Sequence, residues 1–166
     1  MTALAYVPVA NLGEKPTAST SESANPLGVR RAVILAAGMG DRLSPLTLET
    51  PKCLTEINGQ PILFRALRAL ANQGFSEVVI VVGHLADKVR ERVGSSQFGL
   101  DISYVDAPRY MTTNNICSMW DARDFCDEDI LLIEGDVVFD EIILAEILRQ
   151  PGSVAAVVPF EREHSG

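Results

Sequence analysis

Four residues close together in the chain, Gly38, Gly40, Arg42 and Lys52, are of the types that bind anions. They follow an uninterrupted apolar run, Ala32 to Ala37, of the kind that forms a strand buried on both faces. Glycines directly after such a strand bring bare backbone, with its N–H groups, close to a ligand. Arg42 can fork onto two phosphate oxygens, and Lys52 can act as a mobile point charge. Strand, glycine bend, two cations and then a helix from Pro61 are the parts of a phosphate site. A plain tight turn is the alternative for the glycines, and a solvated surface cation the alternative for Arg42 or Lys52. Further on, a second apolar run, Ile130 to Ile133, leads into Glu134-Gly135-Asp136. Asp140 is better placed than Asp136 to cap the helix that follows, which leaves the Asp136 carboxylate free for a ligand.

Two common phosphate loops are excluded by particular residues. No Gly-x-x-x-x-Gly-Lys-Ser/Thr string occurs. A dinucleotide fingerprint requires a small residue where Leu43 stands, and an acid at the end of the second strand, where Val82-Gly83 stands.

The stretch LAAGMGDRLSPLTLETPKCL resembles the signature of the sugar-phosphate nucleotidyltransferases, in which LAAG-x-G-x-R-L is followed by a Pro-Lys pair. Two later strings, TNNICSMW (Thr113 to Trp120) and IEGDVVFD (Ile133 to Asp140), resemble the phosphocholine and phosphonate cytidylyltransferase subgroup. The resemblance runs from Arg31 to about Phe160. It implies transfer of CMP from CTP to a small phosphorylated or phosphonylated alcohol or amine, with Mg²⁺ and release of pyrophosphate. A phosphate acceptor is already ionised at neutral pH, so the reaction needs positioning and charge neutralisation more than a strong base. That suits a chain with only two histidines.

Carried onto this chain, the resemblance makes Lys52, Arg42 and Asp136 the catalytic set. Arg42 would hold the β- and γ-phosphates, Lys52 the reacting phosphate, and Asp136 the magnesium. Leu35, Ala36, Ala37, Gly38 and Gly40 would meet the nucleotide, with the amides of the two glycines on its phosphates. Gly83 would admit the base, or simply end its strand. Asn114, Asn115 and Ser118 would bond the cytosine or ribose, unless Thr113 or Asn115 caps the helix instead. Glu134 and Gly135 would line the ribose and acceptor side. Trp120 and Tyr110 suggest a cage for a quaternary ammonium, but Trp120 reads better as a core residue on a helix face. His84 reads as a loop residue, and Cys53 as incidental. The family's second magnesium carboxylate comes from much later in the chain, and nothing before Gly166 matches it. The chain is therefore expected to be the nucleotide-binding portion of a longer protein.

These residues require elements that bring them together. Strand-like runs at Arg31–Ala37, Glu77–Val82, Asp101–Val105, Ile130–Ile133 and Val154–Val158 alternate with helical spacing at Pro61–Gln73, Leu85–Val93, Ile116–Phe125 (after the polar Thr112–Asn115) and Glu141–Leu148. This predicts a Rossmann-like, doubly wound α/β fold: a mainly parallel sheet with helices on both faces. Ligands of such sheets sit outside the carboxyl ends of the strands, where Gly38, Gly83 and Asp136 all fall. The 166 residues suit one domain. Residues 30–166 are read as that domain, and 1–29 as an N-terminal extension whose Glu14–Pro26 stretch has a disordered composition. A net charge of −8 argues against a nucleic-acid partner. No run is long enough to span a bilayer. Three cysteines without metal spacing or a leader suggest free thiols and a cytoplasmic setting. Two alternatives stay open: a sugar-1-phosphate or inositol-phosphate nucleotidyltransferase, and a nucleotide-binding module without catalysis.

Overall fold

The structure, a computed structural model, describes residues 4–7, 25–40, 44–150 and 155–157. The elements in chain order are β1 (Leu4–Val7), β2 (Arg31–Ala36), β3 (Glu56–Ile57), β4 (Gln60–Pro61), α1 (Ile62–Asn72), β5 (Glu77–Val82), α2 (Ala86–Val93), β6 (Ser96–Gln97), β7 (Leu100–Asp106), α3 (Asn115–Asp121), β8 (Ile130–Glu134), α4 (Glu141–Arg149) and β9 (Ala155–Val157). The main sheet has the order β6-β7-β5-β2-β8-β1-β9. Its central strands β7, β5, β2 and β8 are all parallel.

The apolar runs that prompted the strand expectations are buried because both faces of the sheet are covered. Alternate residues point to opposite sides. Ala32, Ile34, Val78, Ile80, Leu131 and Ile133 pack with Leu63, Leu67 and Leu70 of α1, Val89 of α2 and Leu144 and Leu148 of α4. Val33, Val79, Val81 and Ile130 face the other way, toward Ala122, Met119 and Phe125 around α3. Helix α1 buries Leu63, Ala66, Leu67 and Leu70 along one stripe. Gly74, at φ +81°, turns the chain back so that the Phe75 N–H reaches the Leu70 carbonyl. Asp140 caps α4 as expected, accepting from the Ile142 N–H at 3.0 Å.

The topology locates the cleft. From β2 the chain crosses by α1 to β5 and by α2 to β7, always moving away on one side. It then passes over the opposite face through α3 and enters β8 on the other side of β2. The order reverses at the β2–β8 boundary, and a crevice opens there beyond the strand ends.

Two expectations are corrected. Residues 4–7 do not lie apart from the domain. They form a strand antiparallel to both β8 and β9 inside the sheet, and Val29 is 1% exposed in the core. Leu4-Ala5-Tyr6-Val7 is a short apolar run with only two strong strand formers, Tyr6 and Val7, and its partners are more than a hundred residues away, so no local pattern marks it. Residues 1–3 and 8–24 lie outside the described residues, as do Val154 and Val158, while Ala155–Val157 between them form β9. Trp120 is not core: it is 64% exposed, with the Arg123 guanidinium 5.4 Å from its ring centre. The inward side of α3 is made by Ser118, Met119 and the following Ala122, so of Met119 and Trp120, which the spacing offered as alternatives, Met119 faces the sheet.

Candidate active site

A cleft of about 330 Å³ lies beyond the carboxyl ends of β2 and β8, lined by Leu35, Ala36, Gly38, Gly40, Lys52, Cys53, Asn115, Glu134, Gly135 and Asp136. Each part arrives from a different element. β2 delivers Leu35 and Ala36 and runs straight into the glycine bend. The long connection to α1 folds back through short 3-10 turns, Leu46–Leu48 and Lys52–Leu54, and so returns Lys52 to the bend. β8 ends at Glu134 and turns through Gly135 to Asp136. α3 supplies Asn115 from across the sheet.

The glycines do different work. Gly38 has nothing within 4 Å of where a side chain would sit, so its backbone stands open to the cleft. Gly40 has φ +71°, and a Cβ there would lie 2.9 Å from the Thr47 methyl and 3.2 Å from Lys52 Cβ. Gly135 lies against β2: its N–H donates to the Leu35 carbonyl at 2.9 Å, leaving no room for a Cβ. Of the other expected contacts, Ala37, Gly83 and Ser118 do not line the cleft. Ala37 is buried and its carbonyl accepts from the His84 N–H at 3.0 Å. At Gly83 a Cβ would meet that same carbonyl at 2.7 Å and the Tyr110 ring carbon at 2.7 Å, so the glycine permits close packing of strand and loop. Ser118 is buried on the sheet side of α3. Arg42 lies outside the described residues.

Lys52 Nζ donates to Asp136 Oδ2 across the cleft, with the two side chains 27% and 30% exposed. Asn115 Nδ2 donates to Glu134 Oε1 at 2.8 Å, and neither Thr113 nor Asn115 caps α3 through its side chain. Cys53, which the sequence presents as incidental, belongs to the cleft wall. It lines the cleft at 3% exposure, and burial, with the Asp136 carboxylate adding to it, pushes its thiol up to about 12. Its position beside Lys52 in a 3-10 turn is a signal only once that turn is known.

The donor set bears on a metal. No group of three or more His, Cys, Asp or Glu side chains is gathered among the described residues. That excludes an all-protein cage there, but not Mg²⁺, which binds through one or two carboxylates and otherwise through phosphates and water. Asp136, with Glu134 nearby on the same wall, fits that kind of site.

This fold, with its cleft here, is that of the nucleotidyltransferases. The solved CTP:phosphocholine cytidylyltransferase of Streptococcus pneumoniae is similar at a TM-score of 0.56 and 29% identity, over 69% of this chain and 49% of that one. The sequence carries the assignment further: residues 32–166 match the MobA-like NTP transferase domain, and the chain belongs to that family. A CMP-5'-(3-aminopropyl)phosphonate synthase of Streptomyces rubellomurinus is 47% identical over 132 residues, covering 78% of this chain and 21% of that protein. A 2-aminoethylphosphonate cytidylyltransferase of Lancefieldella rimae is 33% identical over 114 residues, covering 66% of this chain and 44% of that protein. The chain thus spans half or less of the length of each of these relatives. Among the described residues, no helix is long and apolar enough to cross a membrane.

Proposed function

We propose that this chain carries the nucleotide site of a Mg²⁺-dependent cytidylyltransferase, which transfers CMP from CTP to a small amine-bearing phosphonate or phosphate and releases pyrophosphate. The observation that carries this reading is the convergence of Gly38, Gly40, Lys52 and Asp136 on one cleft at the switch point of the sheet. The named activities of the phosphonate relatives support the choice of cytidine and of the acceptor class.

The chain's own groups suffice for a mechanism of positioning. The open backbone at Gly38 meets the phosphates. Lys52 neutralises a non-bridging oxygen at the reacting phosphorus as negative charge moves toward the leaving pyrophosphate. Arg42 is assigned to the leaving phosphates. Asp136, with Glu134 beside it, would hold Mg²⁺, which when bound supplies Lewis-acid stabilisation of the phosphate oxygens. Asn115, fixed by Glu134, is assigned to the sugar. No side chain is assigned as a base, because the acceptor oxygen is already anionic.

The test is a binding panel of CTP, UTP, GTP, dTTP and ATP with Mg²⁺, followed by pyrophosphate release with 2-aminoethylphosphonate or phosphocholine. The proposal expects the largest thermal shift with CTP and release dependent on both substrates. A larger shift with UTP or dTTP would replace it with the sugar-1-phosphate reading. CTP binding without release would reduce it to a nucleotide-binding module.

A further inference from the structure

Thr47 is 3% exposed, whereas Leu46 and Leu48 on either side are 68% and 67% exposed. A buried threonine between solvent-facing leucines inverts the usual preference and requires a cause. Two contacts supply it. The Thr47 hydroxyl donates to the Gly40 carbonyl at 3.1 Å, and its methyl fills the space a Gly40 side chain would need. On the far side, the Thr47 carbonyl lies 3.0 Å from His84 Nε2. A carbonyl only accepts, so that ring nitrogen carries a proton.

His84 is itself held firmly. Its N–H donates to the Ala37 carbonyl, one residue before the glycine bend. Gly83 before it is wedged against that carbonyl and Tyr110. Leu85 after it adopts the left-handed region, φ 52° and ψ 38°, which an aliphatic side chain disfavours and which persists only where the surroundings enforce it. From the same turn, Lys88 Nζ donates to the Glu49 carbonyl. The start of α2 therefore grips the 47–49 segment at two points. Thr47 passes that grip to Gly40, against which Lys52 also packs.

We infer that Thr47 and His84 are positioning residues, a brace that sets the height of the glycine bend and of Lys52 over the cleft. Neither lines the cleft, so both act through Gly40 and Lys52. The inference rests on the reading of that cleft as a nucleoside triphosphate site.

Kinetics of the full chain with CTP, Mg²⁺ and 2-aminoethylphosphonate test it. His84→Ala and Thr47→Val each lower kcat/KM for CTP about tenfold, the scale of one buried hydrogen bond. The loss falls on KM for CTP and leaves KM for the acceptor within about twofold of wild type, since the brace acts on the phosphate side. His84→Gln, whose amide can donate to the same carbonyl, recovers most of the loss. The double variant is no worse than the poorer single one, because both break one chain of contacts. Equal losses in His84→Ala and His84→Gln, or an unchanged KM for CTP in both His84→Ala and Thr47→Val, overturn the inference.

Hydrogen exchange reads the brace without catalysis. In His84→Ala the amides of Leu48, Leu54 and Thr55 exchange about tenfold faster, while those of β2 and β5 keep wild-type protection and report an intact fold. Unchanged exchange at the three amides overturns the inference. Faster exchange in a protein whose wild type neither binds nor turns over CTP would leave the brace standing and remove the proposed function.

Discussion

Lys52 and Asp136 bring opposite charges into one cleft and meet there. A polyphosphate competes with Asp136 for Lys52, and a divalent cation competes with Lys52 for Asp136. Asp136→Asn should therefore tighten metal-free pyrophosphate binding about fivefold, measured calorimetrically in chelator, because Lys52 is released from a half-buried partner. The same change should cut Mg²⁺-dependent turnover on the order of a hundredfold or more. Lys52→Met should lower kcat by about 10²–10³ with little change in unfolding temperature. Cys53 makes a prediction of a different kind. Its raised pKa means that the folded protein keeps the thiol protonated where an unfolded chain would ionise it, so its thiolate is scarce at roughly pH 8. Iodoacetamide followed by peptide mass spectrometry should find Cys53 unmodified in the native protein at that pH and modified after denaturation. The anion-binding types were legible in the sequence because they follow an apolar run that breaks at glycine. Cys53 was not, because its burial depends on α1 packing beside its turn.

At the scale of elements, the glycines separate two functions that their shared residue type conceals. Gly38→Ala has room for its methyl group and should unfold within about 0.5 kcal/mol of wild type. Gly83→Ala drives a methyl into the Ala37 carbonyl and Tyr110, and should cost about 2 kcal/mol in a urea titration. The opposite ranking would mean that Gly83 faces a ligand, one of the two roles the sequence left open. Helix α3 carries a related lesson. Its spacing is compatible with two inward faces, and the one with Ser118, Met119 and Ala122 is the one that lies against the sheet. Ile116 and Trp120 are left at the surface, 76% and 64% exposed.

For the molecule as a whole, the sheet is closed by residues far from the motif. β1 lies between β8 and β9, and β8 carries Glu134 at its end. Removing residues 1–8 should therefore lower stability by on the order of 2 kcal/mol, the worth of a few ladder hydrogen bonds, and should loosen β8 in hydrogen exchange. At the opposite rim, Arg31 is bonded to Glu77 and Asp127 and paired with Glu128, which pins the starts of β2, β5 and β8 together, away from the cleft. The sequence alone determined the alternation of strands and helices, the glycine bend with its nearby cations, and the cap of α4. Those features are local: apolar period, breaker residues and capping chemistry act over a few neighbours. Tertiary structure alone decided which of them meet. It returned Lys52 to the bend, put Asp136 opposite it, packed Gly83 against the Ala37 carbonyl and Tyr110, sent Trp120 outward and drew Leu4–Val7 into the sheet. Each of these depends on partners tens of residues away, and the energy that selects among them comes from burying the whole sheet between its helices, which no short stretch of chain encodes.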